Sequence, residues 1–154
     1  LFRSGFGGTG KTTIVSAIQR LINSLYLPDP IKASSGHMVT AGLTVMSASD
    51  LCHLYVNDYK QFLGYRNTAL LAIDDLGMES ERIMKYGQEC YPISELFSYR
   101  YECRLFTIVT TNLPSSEVRP RYGDRMADRV NHMMQVVVMP DTNFRELSET
   151  YNPI

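Results

Sequence analysis

The chain has 154 residues, 44% of them hydrophobic and 20% charged, with a formal net charge of −1. That is enough apolar chain for one domain with its own core, and nothing in the near-neutral balance resembles the basic tail of a dedicated nucleic-acid binder, although a neutral total can hide a local patch. No run of about 18 apolar residues and no signal-like start occurs, so no membrane segment is expected.

Residues 1–4 (L-F-R-S) read as the end of a strand. The chain is therefore expected to begin almost inside that strand, with sequence ahead of it missing. Gly5 to Gly10 is a loop, and Lys11 to about Leu25 a helix with Ile14, Ile18, Leu21 and Leu25 on one face. P-D-P-I-K-A-S-S-G from Pro28 is a turn-rich connection. L-T-V-M-S-A from Leu43 is a second strand. Ser49 then caps a helix that runs to about Phe62 and buries Leu51, Tyr55 and Phe62. L-L-A-I-D-D from Leu70 is a short apolar run closed by two acids, the pattern of a buried parallel strand. A helix after Pro92 buries Ile93, Leu96, Phe97 and Tyr101. The next strand covers 104–112, a further helix 122–133 and the last strand 135–139. Strands alternating with helices at this spacing predict an α/β fold with a parallel sheet covered on both faces. Cys52, Cys90 and Cys103 are odd in number and not spaced as metal ligands. They read as reduced thiols of a cytoplasmic protein, two of them buried.

Residues 5–12, G-F-G-G-T-G-K-T, satisfy G-x-x-x-x-G-K-[ST] completely, with Thr13 behind them. The glycines let backbone N–H groups turn inward around phosphates, Lys11 reaches the β- and γ-phosphates, and the Thr12 hydroxyl can ligate Mg²⁺. The helix that starts there adds its positive end. A strand before and an amphipathic helix after separate this loop from a chance glycine-rich turn. Gly5, Gly7, Gly8, Thr9, Gly10, Lys11, Thr12 and Thr13 form the expected nucleotide-binding set.

Asp74 and Asp75 close the buried run. A strand carboxylate beside such a loop is a second anchor for Mg²⁺, here Asp74, while Asp75 on the opposite side of the strand can orient or deprotonate the attacking water. The competing reading is a polar strand end turning into solvent. T-T-N-L-P ends the following strand, and ligands of parallel sheets collect at carboxyl ends. Asn112 is thus expected near the γ-phosphate, donating to it and accepting from water, unless it merely caps the turn before Leu-Pro. Arg121, Arg125 and Arg129 recur at four-residue intervals beside a stripe of Tyr122, Met126, Val130 and Met133. These arginines suit surface ion pairs with Asp124 and Asp128, an arginine finger for a neighbouring subunit, or contact with single-stranded nucleic acid.

Taken in order, these features resemble the AAA+ ATPase core of the bacterial helicase-loader and transposition-helper group, the DnaC/DnaI/IstB-like proteins. G-F-G-G-T-G-K-T-T is similar to its Walker A element, and A-I-D-D-L-G to its Walker B, with Asp75 where most AAA+ proteins have Glu. T-I-V-T-T-N-L-P is similar to the sensor-1 strand, and Y-G-D-R-M-A-D-R-V to the finger segment. The resemblance implies a P-loop NTPase of AAA+ type: a three-layer α/β/α sandwich on a mostly parallel five-stranded sheet, with the helical lid reduced or absent. Residues 1–154 would be one such core, shortened at its N-terminus. It implies ATP and Mg²⁺ as cofactors, Asp75 and Asn112 in the chemistry, and Arg129, or second Arg125, as the finger. It implies a replicative helicase and single-stranded DNA as partners and at least transient homo-oligomers. The segment around Tyr55, Tyr59, Lys60 and Phe62 either offers stacking to bases or is core. The competing functions are a transposition helper of the same group, a P-loop kinase of small molecules, and a non-hydrolysing nucleotide-bound scaffold.

Overall fold

The computed structural model describes residues 1–3, 8–28, 38–140 and 142. Along them run β1 (Phe2–Arg3), α1 (Lys11–Asn23), β2 (Tyr26–Pro28), β3 (Met38–Thr40), β4 (Leu43–Ser47), α2 (Ala48–Asn57), α3 (Tyr59–Asn67) and β5 (Leu70–Leu76). There follow β6 (Ile83–Lys85), β7 (Gln88–Cys90), α4 (Pro92–Glu102), β8 (Phe106–Thr111), α5 (Ser115–Tyr122), α6 (Asp124–Met133) and β9 (Val137–Val138). Five strands make one all-parallel sheet in the order β4-β5-β8-β1-β9. Its register sets Ser47 opposite Asp74, and Arg3 opposite Thr111. The chain segments that leave β1, β5 and β8 therefore emerge along one carboxyl edge, where ligands of such sheets bind.

Side chains alternate along each strand, and both faces are covered. Leu71 and Ile73 of β5 and Val109 of β8 enter a large cluster with Leu51, Phe62, Leu96, Phe97, Met126 and Val130. Ala72 and Ile108, their neighbours in sequence, enter a smaller cluster with Leu43 and Val15 of α1. Helices on both sides of a parallel sheet make the three-layer sandwich expected from the sequence, and among the described residues no helix follows β9.

Local chemistry sets the helix ends. Ser47 Oγ accepts from Asp50 N at 2.9 Å, so the cap of α2 is Ser47 and not Ser49. The helix expected to reach Phe62 breaks at Asp58, whose carboxylate accepts from Gln61 N at 2.9 Å and starts α3. Arg100 is fully buried on α4 and donates to four neutral acceptors. They are Thr107 Oγ1 (2.9 Å) and the carbonyls of Arg66 (2.8 Å), Thr68 (2.8 Å) and Phe106 (2.7 Å). Those bonds join the ends of α3 and α4 to the start of β8, and burial pulls the guanidinium pKa down to about 10.

Several expectations are corrected. The helix from Lys11 ends at Asn23, and Leu21 (64% exposed) and Leu25 (47%) lie outside the core; its buried line is Lys11 and Val15 with Ile18 and Ile22 partly covered. Of the three thiols only Cys52 is buried; Cys90 is half-buried and Cys103 exposed. The antiparallel strand pairs β2–β3 and β6–β7 and the helix α5 are additions to the elements expected from the sequence. Most of the connection beginning at Pro28 lies outside the described residues.

Candidate nucleotide site

The loop that leads into α1 has Gly8 at φ 78 and Gly10 at φ 81, the left-handed region that glycine enters without steric cost. Gly10 also caps α1, whose first turn carries no acid of its own, so the positive helix end faces the loop. Gly5 and Gly7 lie outside the described residues. Thr9 and Lys11 are buried, while Thr12 and Thr13 are exposed on the first turn.

Lys11 Nζ donates to Thr9 Oγ1 at 3.0 Å and to Asn112 Oδ1 at 2.6 Å. Two residues 101 positions apart thus meet at one point, as expected for loops leaving the same edge of the sheet. Desolvation pulls the Lys11 pKa down, opposed by the charges of Asp75 and then Asp74, which places both carboxylates within electrostatic reach of the ammonium. Thr12 Oγ1 lies 3.0 Å from Asp74 Oδ2 and 3.3 Å from Oδ1. Two hard oxygen donors side by side fit a magnesium ion that takes its other ligands from phosphate and water. Among the described residues no cluster of three or more His, Cys, Asp or Glu side chains suits a metal held by protein alone.

Asp74 and Asp75 do not simply point to opposite sides of a regular strand. Pairing between β5 and β8 slips between Ile73 and Leu76, because one extra residue is inserted, and Asp75 takes φ 54. The threonines of β8 hold this bulge. Thr110 Oγ1 donates to Asp74 Oδ1 and accepts from Asp75 N at 2.9 Å, while Thr111 Oγ1 donates to Leu76 O at 2.6 Å. Thr110 and Thr111 are both buried; the Thr110 hydroxyl is committed to the two acids and the Thr111 hydroxyl to the backbone of Leu76 and Leu113.

The arginines do not form one ladder. Gly123, at φ 83, separates Arg121 on α5 from Arg125 and Arg129 on α6. Arg119 pairs with Asp124 and, at 2.7 Å, with Asp128. Arg121 donates to Glu79 O. Arg129 is turned onto α4, donating to Ser98 Oγ and to Glu102 at 2.9 Å beside the Tyr101 ring. Arg125 is exposed and has no hydrogen bond or ion pair among the described residues. Of the apolar stripe, Tyr122, Met126 and Val130 are buried and Met133 is half-buried.

Around Tyr55 the aromatics are structural. Tyr55, Tyr59 and Phe62 pack ring against ring, both phenols donate to Glu95 at 2.9 Å, and the Lys85 ammonium lies 4.6 Å from the Tyr59 ring centre. Sequence reasoning missed Glu79, a carboxylate with no exposed side-chain surface that accepts from Gly77 N at 2.8 Å and from the Tyr122 hydroxyl. No local pattern distinguishes it from the exposed Glu81.

A parallel sheet in this strand order, a glycine loop opening α1, and an asparagine and a carboxylate meeting its lysine and threonine define a P-loop NTPase fold of the AAA+ type. Within that class the fold is DnaC/DnaI-like. The crystal structure of the DnaC helicase loader superposes with a TM-score of 0.59 at 25% identity, over 91% of this chain and 77% of that one. The crystal structure of DnaI gives 0.62 at 15% identity, over 92% and 70%. AMPPCP-bound DnaA from Aquifex aeolicus gives 0.59 at 18% identity, over all of this chain and 46% of its own. No protein-family model and no curated protein matches the sequence. Among the described residues no helix is long and apolar enough to cross a membrane.

Proposed function

We propose that residues 1–154 are one AAA+ core that binds and hydrolyses ATP with Mg²⁺ and acts in DNA replication as a helicase loader does. In this reading it assembles on a replicative helicase and delivers it to single-stranded DNA. The observation that carries the reading is the convergence of Lys11 with Asn112 and of Thr12 with Asp74 at one edge of the sheet. Its likeness to a helicase loader and to a DnaA bound to AMPPCP, an ATP analogue, supports the same direction.

Lys11 holds the β- and γ-phosphates, exchanging its bond to Asn112 for phosphate oxygen. The N–H groups of residues 8–12 face the same phosphates. Thr12 and Asp74 would hold Mg²⁺, which supplies charge neutralisation at the β- and γ-oxygens. Thr110 aims Asp74 and fixes the backbone of Asp75, whose carboxylate receives the proton of the attacking water. The Asn112 amide nitrogen, which makes no hydrogen bond among the described residues, contacts the γ-phosphate. A neighbouring copy completes the site with an arginine. Arg129 is the choice by resemblance, but it must leave Ser98 and Glu102 to reach out, whereas Arg125 is already exposed and has no ion pair among the described residues.

Steady-state phosphate release tests the chemistry. Asp75→Asn and Asn112→Ala are expected to lower turnover by about a hundredfold or more with ATP affinity nearly kept. Equal losses of affinity and turnover contradict these roles. Stimulation of release by single-stranded DNA supports the loader reading, and stimulation only by a small phosphate acceptor supports a kinase instead.

A further inference from the structure

The turn that leaves β5 is held in an unfavourable backbone conformation. Asp75 stands at φ 54, where a residue with a Cβ is strained, and Gly77 at φ 100. Such a conformation persists only where its surroundings impose it. On one side β8 does so through Thr110, which accepts from Asp75 N, and Thr111, which donates to Leu76 O. On the other side stands Glu79. Its Oε2 accepts from Gly77 N at 2.8 Å, and its Oε1 accepts from the Tyr122 hydroxyl with Arg121 3.8 Å away. Arg121 also donates to the Glu79 carbonyl. A fully buried carboxylate is costly unless its oxygens are satisfied, and here they are spent on the turn that carries Asp75 and on the last residues of α5. Burial and the neighbouring carboxylate push the Tyr122 phenol up from its ordinary pKa, so it stays a donor. Packing adds to the hold: a Cβ at Gly77 would meet the Leu113 side chain at 2.5 Å.

We propose that Glu79, clamped by Tyr122 and Arg121, is a positioning residue that keeps the turn after Asp75 in the one conformation that aims the Asp75 carboxylate at the nucleotide. The inference rests on the ATPase reading above and adds to it a residue that touches neither nucleotide nor metal. It separates Glu79 from Glu81, an acid of the same type two residues on that is exposed to solvent.

The test compares Tyr122→Phe, which removes one oxygen, and Glu79→Gln, which removes the charge and keeps one acceptor, with Glu81→Gln as control, all in the full chain. ATP affinity, the single-turnover rate of hydrolysis with Mg²⁺ and hydrogen exchange at the Gly77 amide are read for each. Tyr122→Phe and Glu79→Gln are expected to keep affinity within about twofold while the rate falls roughly ten- to a hundredfold, the usual cost of a small misplacement of a catalytic group. Gly77 exchange should accelerate in both, Glu79→Gln the more mildly if the amide oxygen replaces the carboxylate at Gly77, and Glu81→Gln should match the wild type. Wild-type rates in Tyr122→Phe and Glu79→Gln, or losses of affinity as large as the losses of rate, overturn the inference alone. A wild type that neither binds nor hydrolyses ATP removes the parent reading and this inference with it.

Discussion

Replacing Thr110 by valine removes one buried hydroxyl and little volume. Thr110 has no exposed surface, and its oxygen donates to Asp74 and accepts from Asp75 N at 2.9 Å. A hydrogen bond to a charged group contributes about 1.5–3 kcal/mol, and a backbone donor left unpaired adds about 1 kcal/mol, so Thr110→Val is expected to cost about 2–4 kcal/mol. With a urea slope of roughly 2 kcal/mol/M for a domain of this size, the midpoint should fall by about 1–2 M. Thr110→Ser keeps the hydroxyl and loses one methyl, about 1 kcal/mol. Urea unfolding of the two variants, followed by fluorescence, isolates the hydroxyl. Thr110→Val should also lose Mg²⁺-dependent turnover that Thr110→Ser retains. If valine and serine unfold within about 0.5 kcal/mol of each other, the hydroxyl does not organise the two aspartates and the reasoning about the bulge fails.

Gly77→Ala places a Cβ 2.5 Å from Leu113 at φ 100, and thermal melting should register a loss of about 1–3 kcal/mol. The Cys52 thiol is pushed up from 9.0 to about 12 by burial first and by Glu79 second. The folded state therefore binds this proton more tightly than the unfolded one. That contribution is whole below about pH 9 and is lost as pH climbs toward 12, so Cys52→Ala should melt with a shallower decline between pH 8.5 and about 11 than the wild type.

Local spacing points to those parts of the candidate site that are local in chain. The glycine loop with Lys11 and Thr12, the acids closing a buried run, and the asparagine closing the next strand are each a short pattern with a direct physical meaning. Their convergence followed from the rule that parallel strands gather ligands at one edge. What the sequence concealed depends on distant partners or on ambiguous periods. Ile14, Ile18, Leu21 and Leu25 repeat as well as Val15, Ile18 and Ile22 do. The narrow cluster of Leu43, Ala72 and Ile108 chose the second line and left Leu21 and Leu25 outside. Helix α5 contains Pro120, a residue that ordinarily argues against helix, and strands β6 and β7 are three residues long, too short to show alternation. Even spacing of the arginines suggested one face, but Gly123 breaks the helix between Arg121 and Arg125. Glu79 owes its burial to Tyr122, 43 residues on, and no nearby residue announces it.

The central claim is that Lys11, drawn to Asn112 within the chain, is the group that grips the nucleotide phosphates. Calorimetric titration of ATP with Mg²⁺ into wild type and Lys11→Ala, both checked for an unchanged melting profile, tests it most directly. Losing charge-assisted hydrogen bonds of about 1.5–3 kcal/mol should weaken binding roughly ten- to a hundredfold. Equal affinity in wild type and Lys11→Ala, or no ATP binding by the wild type, contradicts the account.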